Sequence, residues 1–221
     1  MTVLSERIYH AWKEREIYSV VFMDVAGAFN NVHHERLVHN MKQRRIPRSF
    51  VKWTESFLKD RSTQLRFNGA TTETITTRAG VPQGSPLSPL LYMLYNGELL
   101  EIPQKCGLRL AQSLGFIDDI AYGVQGPTDE DNADTLERLL HEAEQWRPRH
   151  GVKFETSKYI LVHFTRSNTQ RTTSPVKVGE VTIQPSNEAR YLGVIFDQKL
   201  KYQSHVQYVA KKGCKFALAI S

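Results

Sequence analysis

The sequence has 221 residues, 40% of them apolar and 24% charged, with a formal net charge of +6, enough apolar material for one substantial domain, or one domain with a small appendage. Its two cysteines, Cys106 and Cys214, have neither a CxxC partner nor a nearby histidine cluster, which excludes a disulfide framework or a zinc site. No apolar run approaches the ~20 residues of a membrane helix, and charges between Glu6 and Glu16 interrupt the N-terminal apolar residues where a signal peptide needs continuity. The expectation is an intracellular chain, nucleus and cytoplasm not being distinguishable, with no membrane partner.

In chain order, Leu4, Ile8, Ala11 and Trp12 follow helical spacing, and "IYSVVFMDV" reads as a buried strand ending near Asp24. Helices are expected over 33–43 and 47–59, with Pro47 suited to a first turn. "STQLRFNGATTETITTRAG" alternates around Asn68 and Gly69, a strong hairpin signal. "SPLSPLLYMLYNGELL" predicts a buried helix with Leu87, Leu90, Leu91, Leu94 and Tyr95 on one face. "LRLAQSLGFIDDIAYGV" reads as two strands joined by a tight turn at Asp118 and Asp119.

Ala133, Leu136, Leu139, Leu140, Ala143 and Trp146 mark an amphipathic helix ended by Pro148 and Gly151. "YILVHF" and "YLGVIF" are strand-like, with "VKVGEVTI" between them, and from Ser204 a helix is expected with Val206, Val209, Phe216 and Ile220 as apolar positions. The mixture lacks a regular βαβ alternation, and no GxGxxG or Walker motif is present, so the reading is an α+β fold.

Basic charge is uneven. Lys42, Arg44, Arg45, Arg48, Lys52, Lys59, Arg61 and Arg66 face only Glu55 and Asp60 in their segment, and Lys199, Lys201, Lys211, Lys212 and Lys215 gather near the C-terminal end. Two readings stay open for them, solvated helix faces or a footprint on a phosphate backbone.

The acidic residues pose the sharper question, because Asp118 and Asp119 stand between "LGFI" and "IAYGV", where burial is expected. Buried carboxylates are unfavourable unless hydrogen-bonded, solvated or neutralised by a cation. If the strand ending at Asp24 is a neighbour of this hairpin, three carboxylates converge, and such a cluster suits hard divalent cations and phosphoryl transfer.

The segments "VVFMDVAGAFNNV", "AGVPQGSPLSPLLY", "GFIDDIAYGV", "KFETSKYILVHF" and "ARYLGVIFD" resemble, in order and spacing, the palm motifs of reverse transcriptases, most closely those of non-LTR (LINE-type) retrotransposons. The resemblance runs from about Tyr18 to Asp197. It implies a polymerase palm, an antiparallel sheet backed by helices, over residues 1–200, with a partial thumb helix beginning at 201–221. It implies RNA-directed DNA polymerase activity: two-metal nucleotidyl transfer from a dNTP to a DNA primer 3′-hydroxyl on an RNA template, with Mg²⁺ or Mn²⁺ as cofactor.

By the same resemblance Asp24, Asp118 and Asp119 hold the metals, and Phe29 is the steric gate against a 2′-hydroxyl. Gln83 and Gly84 open the loop that approaches the nascent base pair, and Lys158 is the lysine proposed to protonate the pyrophosphate leaving group. Lys42, Arg44, Arg45, Arg48, Lys52, Arg61, Arg66, Lys211 and Lys212 would hold nucleic-acid backbone. "FIDD" departs from the commoner Tyr-Ala-Asp-Asp, and Asn30 stands where Asp is frequent, but the metal carboxylates are retained. Only 23 residues precede Asp24, so the fingers segment that family members carry upstream is expected to be largely missing. The chain alone is then expected to extend primers poorly. The rival reading is a truncated or repurposed retroelement fragment serving as a nucleic-acid-binding or protein-interaction module. A metal-dependent nuclease would use similar acids but leaves "PQGSPLSP" and "YLGVIFD" unexplained.

Overall fold

The computed structural model describes residues 2–167, 169–170 and 172–220, the last three of these by backbone only. Helix α1 (Thr2–Lys13) buries Leu4, Ile8, Ala11 and Trp12, the face its spacing predicts, and Trp12 Nε1 donates to the carbonyl of Phe164 at 3.2 Å. Strand β1 (Ile17–Ala26) runs two residues beyond Asp24. It is followed by α2 (His34–Gln43) and α3 (Arg48–Leu58), where Pro47 takes the N-cap position rather than the first turn. Four short strands form a hairpin in two steps: β2 (Ser62–Thr63) pairs β5 (Ile75–Thr76), and β3 (Arg66–Phe67) pairs β4 (Ala70–Thr71). At its tip Asn68 and Gly69 both have positive φ, as an Asn-Gly hairpin turn requires.

Helix α4 (Ser88–Leu100) corrects one expectation. It buries Ser88, Leu91, Tyr92, Tyr95, Asn96 and Leu99, while Leu90 is 57% exposed, and Leu87 and Leu94 are half-buried. Its segment is so apolar that hydrophobicity could not phase it. The buried face is fixed instead by polar groups that find partners, Ser88 Oγ on the carbonyl of Pro82 and Asn96 Nδ2 on that of Ile117. After α5 (Ile102–Lys105) come β6 (Ala111–Phe116) and β7 (Asp119–Gly126), so the turn is Ile117–Asp118 and Asp119 already belongs to the strand.

Helix α6 (Asp129–His150) is capped by Thr128, whose side chain accepts from the N–H of Asp131, and it ends at Gly151 with φ +58°. Pro148 lies inside its last turn and does not end it. Strand β8 (Lys153–Phe154), a 3₁₀ turn (Thr156–Lys158) and β9 (Ile160–Phe164) return along β1. Two hairpins follow, β10 (Val176–Val178) with β11 (Val181–Ile183), and β12 (Glu188–Tyr191) with β13 (Val194–Asp197). "YLGVIF" is therefore not one strand: Leu192 and Gly193, both at positive φ, turn between β12 and β13. Helix α7 (Gln203–Ile220) leaves Val206, Val209 and Phe216 mostly exposed, and the side chain of Ile220 lies outside the described residues.

The expected α+β architecture is an antiparallel sheet, with β1 paired to β7 on one edge and to β9 and β8 on the other, and β6 outside β7. Alternation along β1 sends Val21, Met23 and Val25 into a core with α4 and α6, and Tyr18, Val20 and Phe22 into a second core with α1 and the β12–β13 hairpin. Both faces are covered, which explains why β1 reads as a continuous apolar run. The buried hydroxyl of Ser19 is matched: Oγ lies 2.7 Å from His163 Nδ1 and accepts from Asn132 Nδ2 at 3.0 Å. Among the described residues no helix is long and apolar enough to cross a membrane.

Candidate active site at the end of the sheet

The register of β1 and β7 sets Asp24 directly opposite Asp119. Residues so placed share a face of the sheet, with Cα atoms ~4.5–5.5 Å apart. Asp118 is the second residue of the two-residue turn, and its carbonyl accepts the N–H of Val25 at 3.3 Å, tying the turn to β1. The first turn residue, Ile117, has φ +58°, a conformation unfavourable by roughly 1–3 kcal/mol for a β-branched side chain. Asn96, buried on α4, donates to the Ile117 carbonyl at 2.9 Å and holds this strained turn in place.

Electrostatics follow from the proximity. Burial, then the charges of Asp118 and Asp24, push the Asp119 carboxyl above its ordinary range. Burial, followed by the charges of Asp118, Tyr95 and Asp24, likewise raises the hydroxyl of Tyr92, which is fully buried and makes no well-formed hydrogen bond, although the nearby Asn96 amide draws it slightly down. Lys158 reaches in from the 3₁₀ turn, its Nζ 2.7 Å from Glu155 Oε2 and 3.2 Å from Asp24 Oδ2. Those two contacts, Glu155 first, raise its pKa, though its exposure leaves them screened.

The three acids approach without enclosing a site, since among the described residues no group of three His, Cys, Asp or Glu side chains is gathered closely enough to grip an ion as it stands. Like charges repel, and Lys158 draws Asp24 toward itself. The donor set nevertheless fits a hard divalent cation: oxygen ligands only, an excess of negative charge, and an orphaned buried hydroxyl in electrostatic reach of the acids.

Two loops meet beside the acids. Val81 N–H donates to the carbonyl of Phe29 and Gly80 N–H to that of Val32, both at 2.8 Å, while Gln83 Nε2 donates to Asn30 Oδ1 at 3.0 Å. Phe29 is half-buried, packed edge-on against Tyr92 with ring centroids 5.6 Å apart. Gly84 has φ +88° with open space where a side chain would begin, so its backbone faces outward unobstructed. Gly80 is the tighter glycine, since a Cβ there would lie 3.0 Å from the Asn30 carbonyl oxygen at a φ of +93°.

The predicted basic residues divide. Arg44 is held by Glu101 at 2.5 Å and packs where a side chain on Gly97 would stand, and Lys42 pairs with Glu55 at 3.3 Å. Arg45, Arg48, Lys52 and Arg66 are exposed. Arg61 lies over the ring of Phe57 at 5.2 Å, and Lys212 over Tyr208 at 5.9 Å, with Lys211 exposed on the same helix.

Sequence reasoning did not single out Asn96, Tyr92, Gly80 or Glu155. Glu155 could have been found three residues before Lys158, and Gly80 in "AGVPQG"; Asn96 and Tyr92 carry no local signal, because their importance comes from what the fold sets against them. A groove of about 1180 Å³ lies elsewhere, lined by residues such as Cys106, Glu137, Arg138, His141 and Lys177 and by none of the three acids.

Comparison with known proteins fixes the class. The family described as reverse transcriptase (RNA-dependent DNA polymerase) matches residues 2–196, and the chain belongs to it. Similar proteins include a probable RNA-directed DNA polymerase from transposon X-element of Drosophila melanogaster, 32% identical over 203 residues, covering 91% of this chain and 22% of that protein. Another is the RNA-directed DNA polymerase from mobile element jockey of Drosophila funebris, 28% identical over 198 residues, covering 89% and 21%. Both support the non-LTR, LINE-type assignment, and the chain spans about a fifth of their length. Among solved structures, apo telomerase from Candida tropicalis, truncated from its C-terminal domain, is similar with a TM-score of 0.63 at 11% identity, over 92% of this chain and 39% of that one. At that identity the likeness concerns the fold, a reverse transcriptase palm.

Proposed function

We propose that the chain is the palm of an RNA-directed DNA polymerase that joins a dNTP to the 3′-hydroxyl of a DNA primer on an RNA template. The observation that carries this reading is the placement of Asp24 opposite Asp119 with Asp118 in the adjoining turn. Asp24 and Asp118 would hold divalent cations, Mg²⁺ or Mn²⁺, with Asp119 as the third acid. Bound there, the cations supply charge stabilisation for phosphoryl transfer.

The chain's own residues do the rest. Lys158 holds a proton at Nζ beside Asp24, available to a departing pyrophosphate. Phe29, braced by Tyr92, stands against the sugar of the incoming nucleotide and disfavours a 2′-hydroxyl. Gln83, tied to Asn30, and the unobstructed backbone at Gly84 border the nascent base pair. Arg45, Arg48, Lys52 and Arg66, with Lys211 and Lys212 and the partly engaged Lys42, Arg44 and Arg61, hold phosphate backbone without reading sequence. Residues 1–200 form the palm and 201–221 begin the thumb.

The test is primer extension on an RNA template with dNTPs and Mg²⁺, wild type beside Asp118→Ala. Extension that Asp118→Ala abolishes supports the polymerase. Primer–template bound by both proteins and extended by neither, even after an upstream fingers segment is joined to the chain, would favour the binding-module reading.

A further inference from the structure

Lys158 stands between two carboxylates that the proposed reaction uses differently. Its Nζ lies 2.7 Å from Glu155 Oε2 and 3.2 Å from Asp24 Oδ2, and of these two acids Asp24 is the one assigned to a metal. Backbone bonds fix all three residues. The register of β1 with β8 sets Val25 opposite Phe154, the N–H of Glu155 is directed at the Asp24 carbonyl at 3.5 Å, and the Glu155 carbonyl accepts the N–H of Lys158 at 2.9 Å across the 3₁₀ turn. The side chain of Lys158 is nevertheless 56% exposed and that of Glu155 43%, which leaves the ammonium free to shift between its two acids.

We propose that Lys158 and the divalent cation exchange at Asp24, and that Glu155 is the positioning residue that receives the lysine. The proposal rests on the reading of Asp24 and Asp118 as metal-holding acids and adds a built-in competitor to it. An ammonium at hydrogen-bond distance from Asp24 and a divalent cation on the same carboxylate repel each other, and at a separation well inside the Debye length salt does not screen that repulsion away. The lysine therefore withdraws from Asp24 as a cation takes it. Glu155 already holds the ammonium at the shorter distance, and it lies outside the register pair of Asp24 and Asp119. With Glu155 present, Lys158 keeps one anionic partner when it leaves Asp24. Without that acid it would keep neither and would hold Asp24 harder, so Glu155 favours cation binding without touching the cation.

Binding of Mn²⁺ to the full chain, read from the loss of the free-ion signal in electron paramagnetic resonance, tests this without polymerase turnover. It is measured for wild type, Lys158→Gln, Glu155→Gln, Glu155→Asp and the double variant Lys158→Gln/Glu155→Gln, with Asp118→Ala and Lys153→Gln as references. Lys153 is exposed on β8, opposite Ala26, and takes no part in the contacts among Asp24, Lys158 and Glu155, so its replacement removes the same charge without removing a contact to Asp24. Thermal melts confirm that each variant folds.

Lys158→Gln should tighten Mn²⁺ binding about fivefold, and Lys153→Gln by under about twofold. Glu155→Gln should weaken it about threefold, with Glu155→Asp restoring most of the loss. In the double variant the change at Glu155 should alter affinity by less than about twofold relative to Lys158→Gln alone, because its effect passes through the lysine. Equal tightening by Lys153→Gln and Lys158→Gln would overturn the exchange and reduce Lys158 to background charge. An equal loss from Glu155→Gln with and without Lys158 would overturn the positioning role and make Glu155 a metal ligand. Affinity unchanged by every Lys158 and Glu155 variant, with binding that Asp118→Ala still abolishes, would overturn the proposal and leave the metal-holding acids standing. No Mn²⁺ binding, or binding that Asp118→Ala leaves intact, would remove both.

Discussion

The end of the central sheet and the α3–hairpin region are built in opposite ways. At the sheet end, Asp24, Asp118 and Asp119 sit on backbone that β7, β8, β9 and α4 all grip, and even the unfavourable φ of Ile117 is held by Asn96. In the α3–hairpin region the helix buries three residues, and every residue of β2 to β5 is exposed. Chemistry that depends on the placement of charges to within a fraction of an ångström needs the first kind of support. The contact with phosphate backbone proposed for the basic residues of this region tolerates the second, because charge attraction does not need fixed geometry.

The largest effect that sharpens the contrast is Asp118→Ala. In a chain joined to a fingers segment it should reduce primer extension by several orders of magnitude while leaving nucleic-acid affinity within about twofold, because each ~1.4 kcal/mol of lost transition-state stabilisation is tenfold in rate. Removing one of three like charges should leave the melting temperature unchanged or slightly raised without divalent cations, as calorimetry would show. A large fall in stability would mean that Asp118 supports the turn instead.

Gly80→Ala comes next. The new Cβ meets the Asn30 and Phe29 carbonyl oxygens at 3.0 and 3.1 Å in a left-handed backbone conformation, so a loss of about 2–3 kcal/mol in denaturant unfolding is expected. The shift should separate Phe29 from Gln83 and depress extension as well. The equivalent change at the hairpin tip, Gly69→Ala, also has positive φ but meets nothing within 4 Å and should lower global stability by under about 1 kcal/mol.

A pH effect probes the sheet from its other end. Burial holds His163 below its ordinary pKa, opposed by the Ser174 carbonyl and the charge of Asp129. The folded chain therefore keeps this ring neutral. Its contribution is fully present above the unfolded pKa of about 6.5 and is lost progressively as pH falls from there toward the depressed folded value. Stability measured between pH 7.5 and 5.5 should decline with falling pH, and His163→Gln should flatten part of that decline. The smallest effect belongs to the hairpin: Phe67, 78% exposed, should change to Ser within about 0.5 kcal/mol by the same measurement.

Phe29→Val tests the loop that joins the two regions. If the ring packed on Tyr92 gates the sugar, the variant should raise ribonucleotide relative to deoxyribonucleotide incorporation by about tenfold or more, read in single-nucleotide extension. Unchanged selectivity with lowered stability would leave Phe29 as a packing residue.

By itself the sequence determined the α+β class, the central strand through Asp24, the acidic hairpin, the Asn-Gly turn and the membership of the family. Each of these is encoded locally: unbroken apolar residues for a strand covered on both faces, φ-permissive residues for a turn, and five ordered motifs for the family. Tertiary structure alone decided the phase of α4, where nearly every position is apolar and the buried face was chosen by the partners available to Ser88 and Asn96. It decided that Arg44 is held by Glu101 while Lys52 is exposed, a distinction invisible in a run of basic residues. It also set Asp24 opposite Asp119 and Lys158 against Asp24, across 95 and 134 positions of chain. Strand register and salt bridges between distant segments depend on how the whole sheet packs, and local composition carries no record of that.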